Sequence, residues 1–274
     1  MSKKKRRVII AIVAAAILFL YAWGFALKTD KYRIRSEKIK NGLKIVFISD
    51  LHNCFYGGKD QSKLINEIDD SNPDIVIFGG DIIDEYGGVK NALKLMRETV
   101  KKYPCFYSPG NHEQSRSDRK EFFYEVSSLG VHVLSGNYGE LEIRGQAVRV
   151  YGIYDARYLS QLKDCFDTFD DKYYSILLNH RPDQYEQLLE SGDTRFDLIL
   201  SGHAHGGQWR IPKLLDQGLY APDQGLFPEH TNGKFEYGKS VQIVSRGLAR
   251  PLRMIFIPRI FNRPELCVIE VEPS

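Results

Sequence analysis

Short apolar runs alternate with segments of helical spacing along most of the chain. The runs are KIVFIS (44–49), DIVIFGG (74–80), CFYSPG (105–110), YSILLNH (174–180) and DLILSGH (197–203). Each is rich in β-branched or aromatic residues and closes on Gly, Asn, Asp or His, which predicts a strand buried on both faces. Between them, DQSKLINEIDDS aligns Leu64, Ile65 and Ile68, and KNALKLMRETVKK aligns Leu93, Met96 and Val100. RPDQYEQLLES opens on Pro182 and stops before Gly192, as helices do. Strands alternating with helices predict an α/β core. A hairpin around Arg144–Gly145–Gln146 and two late β segments, SVQIVSRG and ELCVIEVEP, add mixed β structure to a single domain over 43–274.

The N-terminus breaks this pattern. Residues 8–27, VIIAIVAAAILFLYAWGFAL, carry no charge, and a helix of that length spans a hydrocarbon core of about 30 Å. Lys3, Lys4, Lys5, Arg6 and Arg7 precede it, and Tyr21 and Trp23 lie near its far end. An uncleaved transmembrane signal anchor is expected, with residues 1–7 cytoplasmic and the rest of the chain on the extracytoplasmic face of the cell membrane. A cleaved signal peptide and a buried core helix are the alternatives; GFA before Leu27 is a poor cleavage match. The polar segment 28–42 reads as a stalk.

Charge sharpens the picture. The chain of 274 residues has 38 Lys and Arg against 35 Asp and Glu, a net +3, and subtracting the five N-terminal bases leaves −2. A near-neutral body excludes a nucleic-acid surface built on phosphate neutralisation. No obligatory protein partner is indicated. Cys54, Cys105, Cys165 and Cys267 are scattered and predict no obligatory disulfide.

The core runs share one further property. Their ends carry Asp50 and His52 (SDLH), Asp81 and Asp84 (GGDIID), Asn111 and His112 (GNHE), His180 (LLNH), and His203 and His205 (SGHAH). Strand carboxyl ends in α/β folds converge on one crevice. Within an extended segment residues i and i+2 point the same way, which pairs Asp50 with His52 and His203 with His205. Imidazole with carboxylate suits Mn, Fe, Zn, Co or Ni. Four histidines, two carboxylates and an Asn amide divide well over two divalent metal ions sharing one bridging carboxylate, an arrangement that drives in-line phosphoryl displacement.

The series D-x-H, G-D-x-x-D, G-N-H-E, H, G-H-x-H over residues 44–206 resembles the calcineurin-like metallophosphoesterase superfamily, and GHAHGGQW with the late SRGL and RIFNRPEL resembles its membrane-anchored bacterial branch. The resemblance implies a four-layer αββα sandwich. It implies Asp50, His52 and His205 on the first metal, Asn111, His180 and His203 on the second, Asp81 bridging, and a metal-bridging hydroxide as nucleophile. His112 would contact the phosphoryl group or protonate the leaving group. The implied substrate is a phosphomonoester or phosphodiester, with a lipid-linked envelope metabolite favoured by the anchor. A non-catalytic module on the same fold and a zinc amidase or peptidase are the rival readings.

Asp84 is expected either to orient a ligand histidine or to cap a turn. His132 reads as structural and His230 as an exposed loop residue. In the tail GLARPLRMIFIPRIFNRPEL, Arg250, Arg253, Arg259 and Arg263 are expected to reach water from a packed segment, or to form a basic-apolar lip that touches lipid or a substrate phosphate.

Overall fold

The computed structural model describes residues 1–274 apart from 23–25, 59, 154–157, 191, 194 and 251–258. Two six-stranded sheets carry the body. The first uses β1 (Lys28–Ser36), β2 (Leu43–Ile48), β3 (Ile75–Phe78), β4 (Cys105–Tyr107), β5 (His132–Val133) and β14 (Glu265–Pro273), in the order β1-β14-β2-β3-β4-β5. The second uses β6 (Asn137–Ile143), β7 (Gln146–Ile153), β8 (Tyr174–Asn179), β9 (Leu198–Ser201), β12 (Gly233–Tyr237) and β13 (Ser240–Val244), in the order β12-β13-β9-β8-β7-β6. The expected hairpin joins β6 to β7, with Arg144 and Gly145 both at positive φ, as a tight two-residue turn requires.

The alternation within each strand explains the layering. Ile45, Phe47, Ile75 and Ile77 of one sheet meet Val148, Val150, Ile176, Leu178, Leu198 and Leu200 of the other in one core. The intervening residues point outward. Val46, Ile48, Val76 and Phe78 pack beneath Leu64 and Ile68 of α2 (Ser62–Ser71), Leu93 and Met96 of α3 (Lys90–Val100), and Phe122 and Val126 of α5 (Arg119–Ser128). Tyr151, Leu177 and Ile199 pack beneath α6 (Tyr158–Asp167) and α7 (Pro182–Glu190) through Leu162, Cys165, Tyr185 and Leu189. Strands covered on both faces need unbroken apolar runs, and each fully buried Leu, Ile or Phe contributes about 1.5–3 kcal/mol. The result is helices, sheet, sheet and helices in four layers.

Two expectations about the N-terminus change. Residues 28–36 are not a free stalk: β1 pairs in parallel with β14, from Lys28 beside Glu265 to Ser36 beside Pro273. Only Ile34 is buried there, because an edge strand presents its other face to solvent. The expected span 8–27 falls partly on α1 (Lys3–Ala22), whose first five residues are basic, leaving fifteen uncharged; residues 23–25 lie outside the described ones. Among the described residues no helix is long and apolar enough to cross a membrane. Among the described residues none of the four cysteines forms a disulfide.

Candidate metal centre

Three strand ends from the first sheet (β2, β3, β4) and two from the second (β8, β9) deliver the motif residues to one end of the sandwich. The crevice is therefore made between two sheets rather than along one. Backbone bonds fix the register of its floor: Asp50 N–H donates to Gly80 O, His52 N–H to Asp81 O and Asn53 N–H to Ile82 O, at 3.0, 2.9 and 2.8 Å.

The i, i+2 argument needs correction. β2 ends at Ile48 and β9 at Ser201, before the residues that matter. Asp50, His52, Asp81, His203 and His205 all adopt the left-handed backbone region, with φ between 48° and 64°. They converge through turns, not through extended alternation. Such backbones cost about 1–3 kcal/mol each and cluster where function over-determines them. The flanking glycines leave the room: a Cβ on Gly110 would stand 2.4 Å from Asp81 Oδ1 and 2.9 Å from His180 Nε2, and one on Gly202 would stand 2.4 Å from Asp50 Oδ2.

Three sets of side chains have donor atoms within 4.8 Å of one another: Asp50, His52 and His205; His52, Asp81 and His112; Asp81, His180 and His203. Asn111, first residue of the short helix α4 (Asn111–Ser115), lies beside them, and its Oδ1 is buried without a hydrogen-bond partner. Asp50 Oδ2 and His52 Nε2 share that condition. Asp50 Oδ2, His52 Nε2 and Asn111 Oδ1, buried without donors, fit a cation site, since leaving such atoms unpaired is otherwise costly, while Asp81 Oδ2 and His180 Nε2 have only each other, at 3.2 Å. Seven of the eight expected site residues thus have their donor atoms in overlapping sets, and Asn111 adjoins His112 in sequence.

Electrostatics agree with this at His52 and His205, whereas His180 holds a proton that a bound cation would displace. Burial lowers the pKa of His52 to about 4 against the pull of Asp81, and lowers that of His205 well below the usual imidazole range. Both rings are neutral at pH 7, the form that binds metal. His180 donates from Nδ1 to Gly79 O at 2.8 Å, which turns Nε2 toward Asp81 Oδ2 at 3.2 Å. Burial opposes charge on His180, but Asp81 outweighs it and raises the pKa to about 10. Asp81 in turn is held well below the usual carboxylate range: burial raises it, and His180 more than offsets that.

Neighbouring residues hold these groups in place. Asp84 Oδ1 lies 3.3 Å from His52 Nδ1 and 3.0 Å from His112 Nδ1, so it orients two rings rather than capping a turn alone. Glu113, which sequence reasoning left without a role, is fully buried. It accepts from the backbone N–H groups of Asp81, Ile82, Ile83 and Gly110, at 2.9, 2.6, 3.1 and 2.9 Å. Burial raises its pKa, opposed by those donors. The signal was present, for a Glu three residues after the N-cap Gly110 is half of a capping box. Asp223 was also missed; its Oδ2 stands 2.9 Å from His203 Nε2 and pairs with Arg181.

The tail departs from expectation at Arg259. That side chain is fully buried, donates from Nη2 to Arg246 O at 2.6 Å and lies 3.2 Å from His205 Nδ1. It reaches neither water nor lipid. Arg250 donates to Phe55 O and stacks over Tyr56, and Arg263 is half-buried; Arg253 lies outside the described residues. His132 stacks on Phe106, and His230 is half-buried against Phe235 rather than exposed.

Comparison with known proteins matches this geometry. The family model for calcineurin-like phosphoesterases covers residues 43–207. Bacillus subtilis YkuE, described as an uncharacterized metallophosphoesterase, is 28% identical over 91% of this chain and 92% of its own. Bacillus subtilis YpbG, an uncharacterized protein, is 31% identical over 75% of this chain and 79% of its own. The crystal structure of TT1561 from Thermus thermophilus shares the fold, with a TM-score of 0.51 over 76% of this chain and 91% of that one, at 13% identity. The divalent cations that such enzymes use have a matching set of carboxylate and imidazole donors in this crevice. The chain belongs to the calcineurin-like phosphoesterase family and is a metal-dependent hydrolase of phosphate esters.

Proposed function

We propose that the protein is a two-cation phosphohydrolase tethered to the cell membrane, acting outside the cytoplasm on a phosphate ester of a membrane or envelope metabolite. Asp50, His52 and His205 would hold one cation, and Asn111, His180 and His203 the other. Asp81 would be shared. The observation that carries this division is that Asp81 belongs to two of the three donor sets, while the set around Asp50 and the set around His180 have no residue in common.

Two divalent ions, when bound, supply charge neutralisation at the phosphoryl oxygens and acidify water for attack. The chain's own residues do the remainder. Burial of His52 and His205 keeps their lone pairs free of protons at pH 7. Glu113 fixes the backbone that presents Asp81, and the Gly79 carbonyl fixes the ring of His180. His112 is the exception in exposure, with 31% of its side chain open against 5% or less for His52, His180 and His205. Reaching solvent from the rim, and held by Asp84, it is placed to give a proton to the leaving oxygen.

Tethering rests on α1 and its continuation. Val8, Ile12, Ile17, Leu18 and Phe19 are each about half or more exposed on that helix, behind five bases, and the uncharged stretch runs on in sequence to Leu27. A relative from Danio rerio, 25% identical over 88% of this chain, is named as a transmembrane protein with a metallophosphoesterase domain.

The test is hydrolysis of bis(p-nitrophenyl) phosphate by purified full-length chain. Activity should vanish on chelation, return with Mn, and leave a peptide amide untouched. Turnover that survives complete removal of metal would overturn the proposal.

A further inference from the structure

One loop system serves both the site and an exposed apolar rim. The strand pair β10 (Tyr220–Ala221) and β11 (Gly225–Leu226) carries Asp223 at its turn to His203. The flanks of that turn leave Tyr220, Leu226 and Phe227 open to solvent, at 38, 67 and 66%. Trp209 and Leu214 of the same loop are 42 and 83% exposed, and Phe261 is 48% exposed. Backbone bonds knit these into one surface: Leu219 N–H donates to Trp209 O at 2.8 Å, Phe227 N–H to Leu219 O at 2.9 Å, and Arg210 N–H to Ile260 O at 2.9 Å. So many large apolar side chains exposed on one linked loop system are uncommon on a freely soluble face.

Its position identifies the occupant. Three residues beyond Ile260, Arg263 donates from Nε to Ala26 O at 2.9 Å and from Nη2 to Leu27 O at 2.7 Å. Three residues reach at most about 11 Å of extended chain. The rim therefore lies beside the point where the apolar N-terminal segment joins the body. Its composition of Trp, Tyr and Phe among Leu and Ile, with the exposed cation Lys213 between Ile211 and Leu214, is that of a headgroup boundary rather than of a protein core.

We infer that the 209–227 loop with Phe261 is a docking surface for a lipid bilayer, seated at the headgroup–acyl boundary so that the site mouth beside His203 opens onto the membrane. This rests on the tethered reading above and goes beyond it: the anchor sets proximity, while the rim sets orientation and presents the site to phosphate esters borne on lipid.

The chain has two tryptophans, Trp23 and Trp209, which makes the test direct. Full-length protein is placed in phosphatidylcholine–phosphatidylglycerol vesicles containing brominated acyl chains, as Trp23→Phe (Trp209 alone reports) and as Trp209→Phe (Trp23 alone reports). Docking predicts a blue shift of Trp209, loss of its emission to bromine, and protection from iodide. Adding Leu226→Asp and Phe227→Asp should abolish all three while leaving hydrolysis of soluble bis(p-nitrophenyl) phosphate unchanged, which shows the fold intact. Trp209 open to iodide while Trp23 is quenched by bromine sinks the docking surface and leaves the anchor standing. Trp209 quenched with Trp23 untouched supports the rim and removes the anchor. Protection of Trp209 from iodide without quenching by bromine assigns the surface to protein, a second copy or a partner, and overturns the inference.

Discussion

Asp84 Oδ1 lies 3.0 Å from Nδ1 of His112, the one motif histidine that reaches the rim of the site. The backbone N–H of Glu85 points at the same nitrogen from 3.3 Å, and the two contacts make opposite demands on it. The carboxylate needs a proton on Nδ1, whereas the amide needs a lone pair. The shorter, charge-assisted contact sets the tautomer. Since Asp84 also holds His52, Asp84→Asn should lower turnover by about 10- to 100-fold. His112→Ala should lower it by about 10²-fold or more while metal content stays near wild type. Metal analysis beside steady-state kinetics checks both. Loss of metal in His112→Ala would make His112 a ligand and remove it as the acid.

Asp81 gives a sharper discrimination. As a shared carboxylate its removal weakens both cation sites, so Asp81→Ala should emerge from purification with little bound metal of either kind. A purely terminal ligand would cost one site and spare the other. The stoichiometry of bound metal, wild type against variant, decides the point; one full equivalent retained per chain excludes sharing.

Glu113 concerns stability as well as chemistry. Its carboxylate accepts four backbone N–H groups with both oxygens, and an amide would replace one acceptor by a donor facing N–H groups. A buried donor left unsatisfied costs about 1–3 kcal/mol. Glu113→Gln should therefore lower the thermal midpoint and, by releasing the Asp81 loop, weaken metal binding too. Unchanged midpoint and metal affinity would show that the loop holds itself.

Those residues also mark how far the chain could be read from sequence. The core strands were legible because burial on both faces demands continuous apolar runs, and their polar ends named every motif residue of the site. The mode of convergence was not read: Asp and His are enriched in the left-handed region that Asp50, His52, Asp81, His203 and His205 adopt, but the same types also suit an extended strand end, so residue type alone does not decide. Strand β1 was hidden because an edge position asks little of KTDKYRIRS beyond Tyr32 and Ile34. Asp223 joins His203 across twenty residues of loop, a contact that no local pattern encodes. Glu113 did carry a local signal, at capping-box spacing.

Arg259 was misplaced for a different reason, and it supports the strongest stability prediction. Its neighbours Ile257, Pro258, Ile260 and Phe261 in sequence are a setting in which a charge can be drawn into the interior. The side chain is fully buried, and burial lowers its pKa to about 10, so it remains charged at neutral pH. Nη2 binds the Arg246 carbonyl and touches His205, while Arg246 itself is paired to Glu265. Removing the Arg259 side chain leaves the buried Arg246 carbonyl without that donor, at about 1–3 kcal/mol, and opens a cavity besides. Arg259→Ala should therefore lower the unfolding midpoint, with a smaller effect on metal binding than Asp84→Asn has, since a guanidinium cannot accept the His205 ring N–H as Asp84 accepts that of His52. Arg259→Lys should recover part of the loss, because both contacts are made by the one nitrogen Nη2 and an ammonium can take its place wherever the shorter stem reaches. Calorimetry and metal titration on the two variants read the outcome. A variant that melts like wild type and loses only vesicle binding would return Arg259 to the surface.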